Sequence, residues 1–240
     1  MNTLNKLTTS MLALILLTLA FGFTPITKKI NGDIITQQRT VSPFSKLEAS
    51  SGVNVIIKQG DTFNISVTAD ANNIDKIKTT ISQNTLNIRV DHSARLGNSK
   101  VVVTVPNLKS IRASSSANVK SDGDLIFDKL EIEASSGADI KLHLMCKLIT
   151  SNCSSGSAIH LIGKTVVLVA NASSGADLLA SSLIAENGKI TAESGSEAKV
   201  NVTGEAEFNA SSGGDIKYYS QPEHVYKNTS SGGDIERKDK

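Results

Sequence analysis

The sequence predicts an all-β protein, a parallel β-solenoid (β-helix) with coils of about 19 residues. Three observations carry this prediction. A block of the type Ala-Ser-Ser-Gly-x-Asp-Ile recurs along the chain, and the residues on either side of each block alternate between apolar and polar. No proline occurs between Asn107 and Gln221, as expected where a hydrogen-bonded ladder needs nearly every backbone N–H.

The repeat is most regular in the second half of the chain. Copies of the block begin at Ala49, Ala113, Ala134, Cys153, Ala172, Ala192, Ala210 and Thr229, and from Ala113 onward these starts are 21, 19, 19, 20, 18 and 19 residues apart. Such a unit is too short for a pair of helices, but it fits one coil of short strands that buries its apolar side by stacking on the next. We therefore expect regular coils over residues 111–240 and a less regular amino-terminal section over residues 24–110. Both belong to one continuous domain over residues 31–240.

Residues 1–23 have the pattern of a secretory signal peptide, because Lys6 precedes an apolar run from Met11 to Phe23. A run of this length is short for a bilayer span, although an uncleaved anchor or a buried helix would also be apolar. No cysteine stands directly after the run, which argues against a bacterial lipid anchor. We therefore expect an exported protein, located in the periplasm, on the outer surface or outside the cell. No membrane span is expected after cleavage.

The second serine of the block recurs in every copy, and the alternation predicts that its side chain points inward at the corner of the coil. Stacked hydroxyls there would bond along the solenoid axis or to corner carbonyls. We therefore predict a structural ladder formed by Ser136, Ser155, Ser174, Ser194, Ser212 and Ser231.

An acidic column is predicted two residues after the glycine of the block. If coils stack in register, the carboxylates of Asp177, Glu197, Asp215 and Asp234 lie on successive coils. A row of this kind is a candidate Ca²⁺ ladder. The alternative is that each side chain bonds a backbone N–H at its corner, and the absence of the Gly-Gly-x-Gly-x-Asp calcium repeat favours this alternative. We assign no metal site.

Composition and motifs argue against several functional classes. A net charge of +2 provides no broad basic field for nucleic acid, and aromatic residues are only 4% of the chain. No nucleophile motif, zinc-ligand spacing or phosphate-binding glycine loop occurs, so no catalytic residue and no cofactor are predicted. The two cysteines, Cys146 and Cys153, would lie roughly 20 Å apart on extended chain without an intervening turn, which favours two buried thiols over a disulfide.

The chain resembles the bacterial head GIN domain family, often described as an auto-transporter adhesin. The resemblance runs through Asn-Gly-Asp at residues 31–33 and Phe-Ser-Lys-Leu-Glu-Ala-Ser-Ser-Gly-Val-Asn-Val-Ile-Ile-Lys-Gln-Gly-Asp at residues 44–61. It continues through Ile77, Leu-Asn-Ile at residues 86–88, Val-Val-Val-Thr-Val-Pro-Asn-Leu-Lys at residues 101–109, and the Ser-Ser-Gly coils. It implies a right-handed parallel β-helix exported by Bacteroidota-type bacteria, and it carries no agreed catalytic residues.

The function expected from these features is that of a non-catalytic module of the cell envelope, adhesive or structural, whose strand faces contact a surface glycan or a protein. Two alternatives remain open. Polysaccharide lyases and hydrolases also use β-helices, although this sequence has no localised break in the repeat that carries Asp, Lys or Arg with aromatic residues. The other alternative is a structural spacer stabilised by Ca²⁺.

Overall fold

Seventeen strands wind into one continuous hydrogen-bonded sheet in the computed structural model, which describes residues 33–91, 97 and 99–239. The predicted signal peptide lies outside these residues. The strands are β1 Ile34–Arg39, β2 Lys46–Ala49, β3 Asn54–Gln59, β4 Asn64–Asp70, β5 Ile77–Ser82, β6 Thr85–Val90, β7 Lys100–Val105, β8 Ser110–Ala113, β9 Asn118–Ala134, β10 Asp139–Cys153, β11 Ala158–Ala172, β12 Asp177–Glu193, β13 Glu197–Val202, β14 Glu205–Ser211, β15 Asp215–Tyr218, β16 His224–Thr229 and β17 Asp234–Arg237. One 3₁₀ turn, Ile74–Lys76, precedes β5. In the described part of the chain, no helix has the length and apolarity needed to cross a membrane.

The coils stack in parallel at the spacing predicted from the repeat. Asp139 pairs with Ala158, Ala158 with Asp177, and Asp177 with Glu197. The β-solenoid has about seven turns with coils of about 19 residues, which confirms the predicted fold class. Each coil therefore places equivalent residues directly above one another.

The regular coils form two long walls. Wall A consists of the first halves of β9 to β12, followed by β13, β15 and β17. Wall B consists of the second halves of β9 to β12, followed by β14 and β16. The strands of both walls have the period-two pattern that the sequence predicts, so aliphatic side chains such as those of Ile140, Leu142 and Leu144 fill the interior while their neighbours face outward.

Each corner at the repeated block contains two consecutive residues in the left-handed region. In the coil of β9 and β10, φ is 52° at Ser136 and 69° at Gly137. The N–H of Gly137 donates to the carbonyl of Ser155 in the next coil at 3.1 Å, so the corner continues the ladder. Glycine adopts this conformation without steric cost, whereas serine does not, and this explains why glycine occupies the second left-handed position in most copies of the block.

The amino-terminal section departs from a simple spiral. Strand β2 pairs with β6 on one side and with β8 on the other, and β3 pairs in the same way with β7 and β9. The coil formed by β2 and β3 is therefore inserted between two coils that come later in the chain. Antiparallel pairs β1–β4, β4–β7 and β5–β6 complete this end, which accounts for the long gap between the first two copies of the block.

A lysine closes the carboxyl-terminal end of the core. In β16, Lys227 pairs with the buried Phe208 of β14, so the lysine occupies a position that is apolar in preceding coils. Its Nζ lies 4.7 Å from the ring centroid of Tyr218, and that ring packs on Phe208 with a centroid distance of 5.1 Å. The aliphatic stem of the lysine covers the last aromatic pair while its charge remains near solvent.

The corner between β8 and β9 offers a test of the backbone argument. Ser115 and Ser116 have φ of 51° and 60°, and no glycine is present at this corner. We expect Ser116→Gly to raise the free energy of unfolding by about 0.5 kcal/mol. Glycine removes the steric strain of a non-glycine residue in the left-handed region, and this gain exceeds the loss caused by the greater entropy of glycine in the unfolded chain. Thermal unfolding measures the change. The control Ser114→Gly, outside the left-handed pair, should lower stability, and equal losses in the two variants would contradict the argument.

Candidate binding groove

The outward face of wall B carries a column of asparagine side chains. The strand register aligns Asn152, Asn171, Thr191, Asn209 and Asn228 on successive coils. The Nδ2 of Asn171 donates to the Oδ1 of Asn152 at 2.9 Å, so neighbouring coils are also joined through this column. In four copies the asparagine immediately precedes the repeated block, and this recurrence is the signal in the sequence that could have located the column.

A groove of about 580 Å³ lies on the outer face of wall B and runs along strand β14. Glu207 and Asn209 of β14 form its floor. Lys189 of β12 stands on one side, and Tyr226 of β16 stands on the other. The groove exists because half-buried side chains of β14 lie between more exposed side chains on the two neighbouring strands.

The charged side chains on the floor and side of this groove are paired with each other. Lys189 Nζ lies 2.8 Å from Glu207 Oε1, and the Nδ2 of Asn209 donates to the same oxygen at 3.2 Å. The hydrogen bond from Lys189, with a smaller contribution from Asn209, holds the pKa of the Glu207 carboxyl below its ordinary value. Glu207 therefore stays ionised and acts as a fixed acceptor that orients both neighbours.

Tyr226 presents the most exposed aromatic ring of the described residues, with 61% of its surface accessible. Its place in the register is opposite Glu207, so the ring lies beside the paired charges. Isolated exposed aromatic rings on a polar surface provide an apolar face for a ligand together with a hydroxyl at the edge. The ring belongs to the last coil, which is held by the pairing of β16 with β14 and by the packing of Lys227 over Tyr218.

A second, smaller groove of about 350 Å³ continues the first along the same strand. The two share Asn209 and Asn228. The smaller groove adds the side chains of Thr191, Glu193, Ser211 and Ser230. Together they form one polar trough, which we call the β14 groove.

An apolar ridge runs along the bend between the two walls. The register aligns Ile126 with Met145, Met145 with Lys164, and Lys164 with Ile184. The side chains of Ile126, Met145, Ile184 and the adjacent Val166 are all exposed, and Lys164 interrupts this apolar row between Met145 and Ile184. The ridge borders a groove of about 510 Å³ and is separate from the β14 groove.

The structure corrects the predicted orientation of the serine column. Ser136, Ser155, Ser174, Ser194, Ser212 and Ser231 are exposed, so the expectation that their hydroxyls point inward is wrong. Each of them has a positive φ, and the strand alternation therefore does not continue through the corner. These residues do stack from coil to coil, but through their carbonyls, which accept hydrogen bonds from the backbone N–H groups of the preceding corner.

At two corners a buried hydroxyl lies instead on the residue after the glycine. Ser157 Oγ donates to the carbonyl of Ala134 at 2.9 Å, and Ser196 Oγ donates to the carbonyl of Ala172 at 2.9 Å. Each bond joins one coil to the preceding one. Sequence reasoning missed these serines because alanine, glycine or valine occupies the equivalent position in the other copies of the block.

The acidic column on wall A is stacked as the repeat predicts. Asp177 pairs with Glu197, Glu197 with Asp215, and Asp215 with Asp234. Two lysines lie beside this column, and Lys199 Nζ and Lys217 Nζ are 2.6 Å and 2.5 Å from the carboxylate of Glu197. The charge of Glu197 is thus offset by lysine. Within the ranges that the structure describes, no group of three or more His, Cys, Asp or Glu side chains has the arrangement of a metal site.

Cys146 and Cys153 are both free and buried, as the sequence indicates. Burial raises the pKa of both thiols, that of Cys153 to about 12, so neither is a reactive thiolate at neutral pH. They act as small apolar residues on the inner side of β10.

The chain matches the model of a known protein family. The family described as "putative auto-transporter adhesin, head GIN domain" matches residues 43–222, about three quarters of the chain. The chain belongs to this family. The match covers the irregular coils of this head GIN domain as well as most of its regular ones, including the first two of the three strands around the β14 groove. No curated protein matches the chain.

Several solved structures share the fold of this head GIN domain. A putative adhesin from Bacteroides fragilis is 20% identical with a TM-score of 0.78, covering 86% of this chain and 97% of its own. A putative adhesin from Parabacteroides merdae is 18% identical with a TM-score of 0.70, covering 87% and 97%. A putative lipid binding protein from Parabacteroides distasonis is 18% identical with a TM-score of 0.68, covering 87% and 98%. At these identities the likeness concerns the fold.

The two kinds of serine are predicted to differ in their effect on stability. We expect Ser196→Ala to lower the free energy of unfolding by about 1 kcal/mol, because it removes a buried hydrogen bond between coils. Ser136→Ala should change it by less than about 0.5 kcal/mol, because the hydroxyl is exposed. Urea unfolding of both variants checks the order. A larger loss of stability for Ser136→Ala than for Ser196→Ala would contradict this order and support the predicted inward serine ladder.

Protonation of Glu197 is expected to weaken the solenoid in acid. Partial burial opposes its ionisation, but hydrogen bonds from Lys199 and Lys217 outweigh this and hold its pKa below the ordinary value. A lowered folded-state pKa stabilises the fold above the unfolded-state pKa, and this contribution is lost as the pH falls through the folded-state value. The free energy of unfolding should therefore fall less between about pH 5 and pH 3 in Glu197→Gln than in the wild type.

Lys217→Met provides the matched test of the same ion pair, because it removes one of the two lysines and leaves the carboxylate in place. In this variant too, the free energy of unfolding should fall less between about pH 5 and pH 3 than it does in the wild type. If both variants follow the wild-type slope, Glu197 contributes nothing to the pH dependence of stability.

Proposed function

We propose that this head GIN domain is an exported, non-catalytic module of the cell envelope that adheres to a surface partner, a glycan or a protein, through the outer face of its solenoid. Membership of a family described as adhesins supports this role. The observation that carries the proposal is the β14 groove, in which an exposed aromatic ring borders paired, oriented polar groups. Such a surface is suited to binding because the side chains of Lys189, Glu207 and Asn209 are held in place before a partner arrives.

The proposal includes export. The leader pattern at residues 1–23 supports a location in the periplasm, on the outer surface or outside the cell. Membership of an adhesin family supports the same location, because an adhesive module must reach the surface that it binds.

Adhesion is tested with the full chain expressed in a bacterial host, fractionated, and purified in its exported form. We expect the protein in an envelope or extracellular fraction, and saturable binding to members of a panel of immobilised glycans and purified surface proteins. Tyr226→Ala should weaken that binding by about tenfold, as expected for a central aromatic contact.

Three results would contradict the proposal. The first is retention of the protein in the cytoplasm. The second is an absence of saturable binding across the panel. The third is release of unsaturated or reducing products from a polyuronate, which would assign a lyase or a hydrolase in place of an adhesive module.

A further inference from the structure

The β14 groove has features that define the chemistry of its ligand, and the inference drawn from them rests on the proposed adhesive function. We propose that the groove binds a linear stretch of neutral oligosaccharide, laid along strand β14 with one sugar against the ring of Tyr226. Shape, charge, hydrogen-bonding capacity and strand pairing each support this ligand class.

The shape of the site favours a linear ligand. The larger and smaller grooves, about 580 Å³ and 350 Å³, join at Asn209 and Asn228 and run along a single strand. Strand β14 extends over seven residues, so the floor is roughly 20 Å long. A compact ligand would fill one part of this trough, whereas a chain of several sugars would contact all of it.

The charges of the groove disfavour an acidic ligand. Lys189 is already paired with Glu207, and the ammonium of Lys227 lies over the ring of Tyr218. The carboxylates of Glu193 and Glu205 also border the groove. Three carboxylates against two lysines repel polyuronates and sulfated chains, while a neutral chain requires no charge to be desolvated on its own side.

The polar groups of the groove suit a ligand with many hydroxyls. The side-chain amides of Asn209 and Asn228 each offer a donor and an acceptor, and the hydroxyls of Thr191, Ser211 and Ser230 offer both. The Tyr226 ring supplies an apolar face for the C–H side of a sugar ring. Because Glu207 fixes Asn209, part of this array is oriented before binding.

Strand pairing argues against an extended peptide. Peptides that bind to sheets usually add a strand at an open edge, where main-chain groups are unpaired. Strand β14 is paired with β12 on one side and with β16 on the other, so its backbone groups are engaged in the ladder. Among the described strands β16 pairs with β14 alone, and a peptide added to the free edge of β16 would lie beside the floor of the groove rather than along it. The groove therefore presents side chains to its ligand, and side-chain amides, hydroxyls and an aromatic ring match sugars.

The experiment is a calorimetric titration of the full, exported chain with neutral gluco-, manno- and galacto-oligosaccharides of one, two, four and six units. Affinity should increase with chain length for at least one series and should exceed that for a uronic acid oligomer of equal length and for an oligolysine peptide. Tyr226→Ala and Asn209→Leu should each weaken binding by about tenfold or more.

Two variants serve as controls. Asn152→Leu changes the same asparagine column outside the groove, and Ile184→Ser changes the apolar ridge; both should bind as the wild type does. Circular dichroism and thermal unfolding of each variant check that the solenoid is intact. Since Tyr226 is exposed, its substitution in particular should leave the fold unchanged.

The outcomes separate this inference from the adhesive function. If the panel shows saturable binding that Ile184→Ser abolishes and Tyr226→Ala does not, the module is adhesive but the glycan site is wrong. A preference for the uronic acid oligomer or for oligolysine, equal affinity for one and six sugar units, or no affinity for any neutral series would also overturn the glycan site. If the panel shows no adhesion while the oligosaccharide titration succeeds, the glycan site holds and the adhesive role fails.

Discussion

The hydrogen-bonded ladder between coils is the constraint on which the rest of the structure depends. Strands β10 and β11 pair with their neighbours over almost their whole length, and the corners continue the ladder through the carbonyls of the second serine of each block. A parallel ladder requires equal coil lengths, because one extra residue would reverse the inward and outward faces of every later residue in the strand. The chain therefore keeps coils near 19 residues and absorbs deviations at bulges, as between His160 and Ile162.

Stacking in register has an electrostatic consequence. Any residue type that recurs in the block becomes a column, and a column of carboxylates with nothing beside it would repel itself. On wall A two lysines on neighbouring coils, Lys199 and Lys217, both contact Glu197 and offset its charge within the column. On wall B the same register yields an uncharged asparagine column, whose members bond one another, as Asn171 does to Asn152, or bond an adjacent carboxylate, as Asn209 does to Glu207.

The candidate site lies where the repeat loses its regularity. On the middle coils of wall B, the short side chains of Thr150 and Val169 occupy one position of the register. On the last three coils the same position carries Lys189, Glu207 and Tyr226, side by side. These residues are not part of the block, so they can vary without disturbing the ladder. The terminal coil carries the exposed ring of Tyr226. Its Lys227 packs over Tyr218, which in turn packs on Phe208, so this contact both caps the core and helps to position the groove.

By itself the sequence determined the solenoid, the coil length, the buried thiols and the stacking of Asp177 on Glu197, because a strand has a period of two and a repeat has a fixed length. It did not determine the orientation of Ser136, since two left-handed residues end the alternation and backbone angles at a corner are not visible in a residue pattern. Nor did it reveal the insertion of β2 and β3 between later coils, or the contact of Lys189 with Glu207, which lie 18 residues apart in the chain. Only the tertiary structure decided these, because they depend on which coils come to lie next to each other.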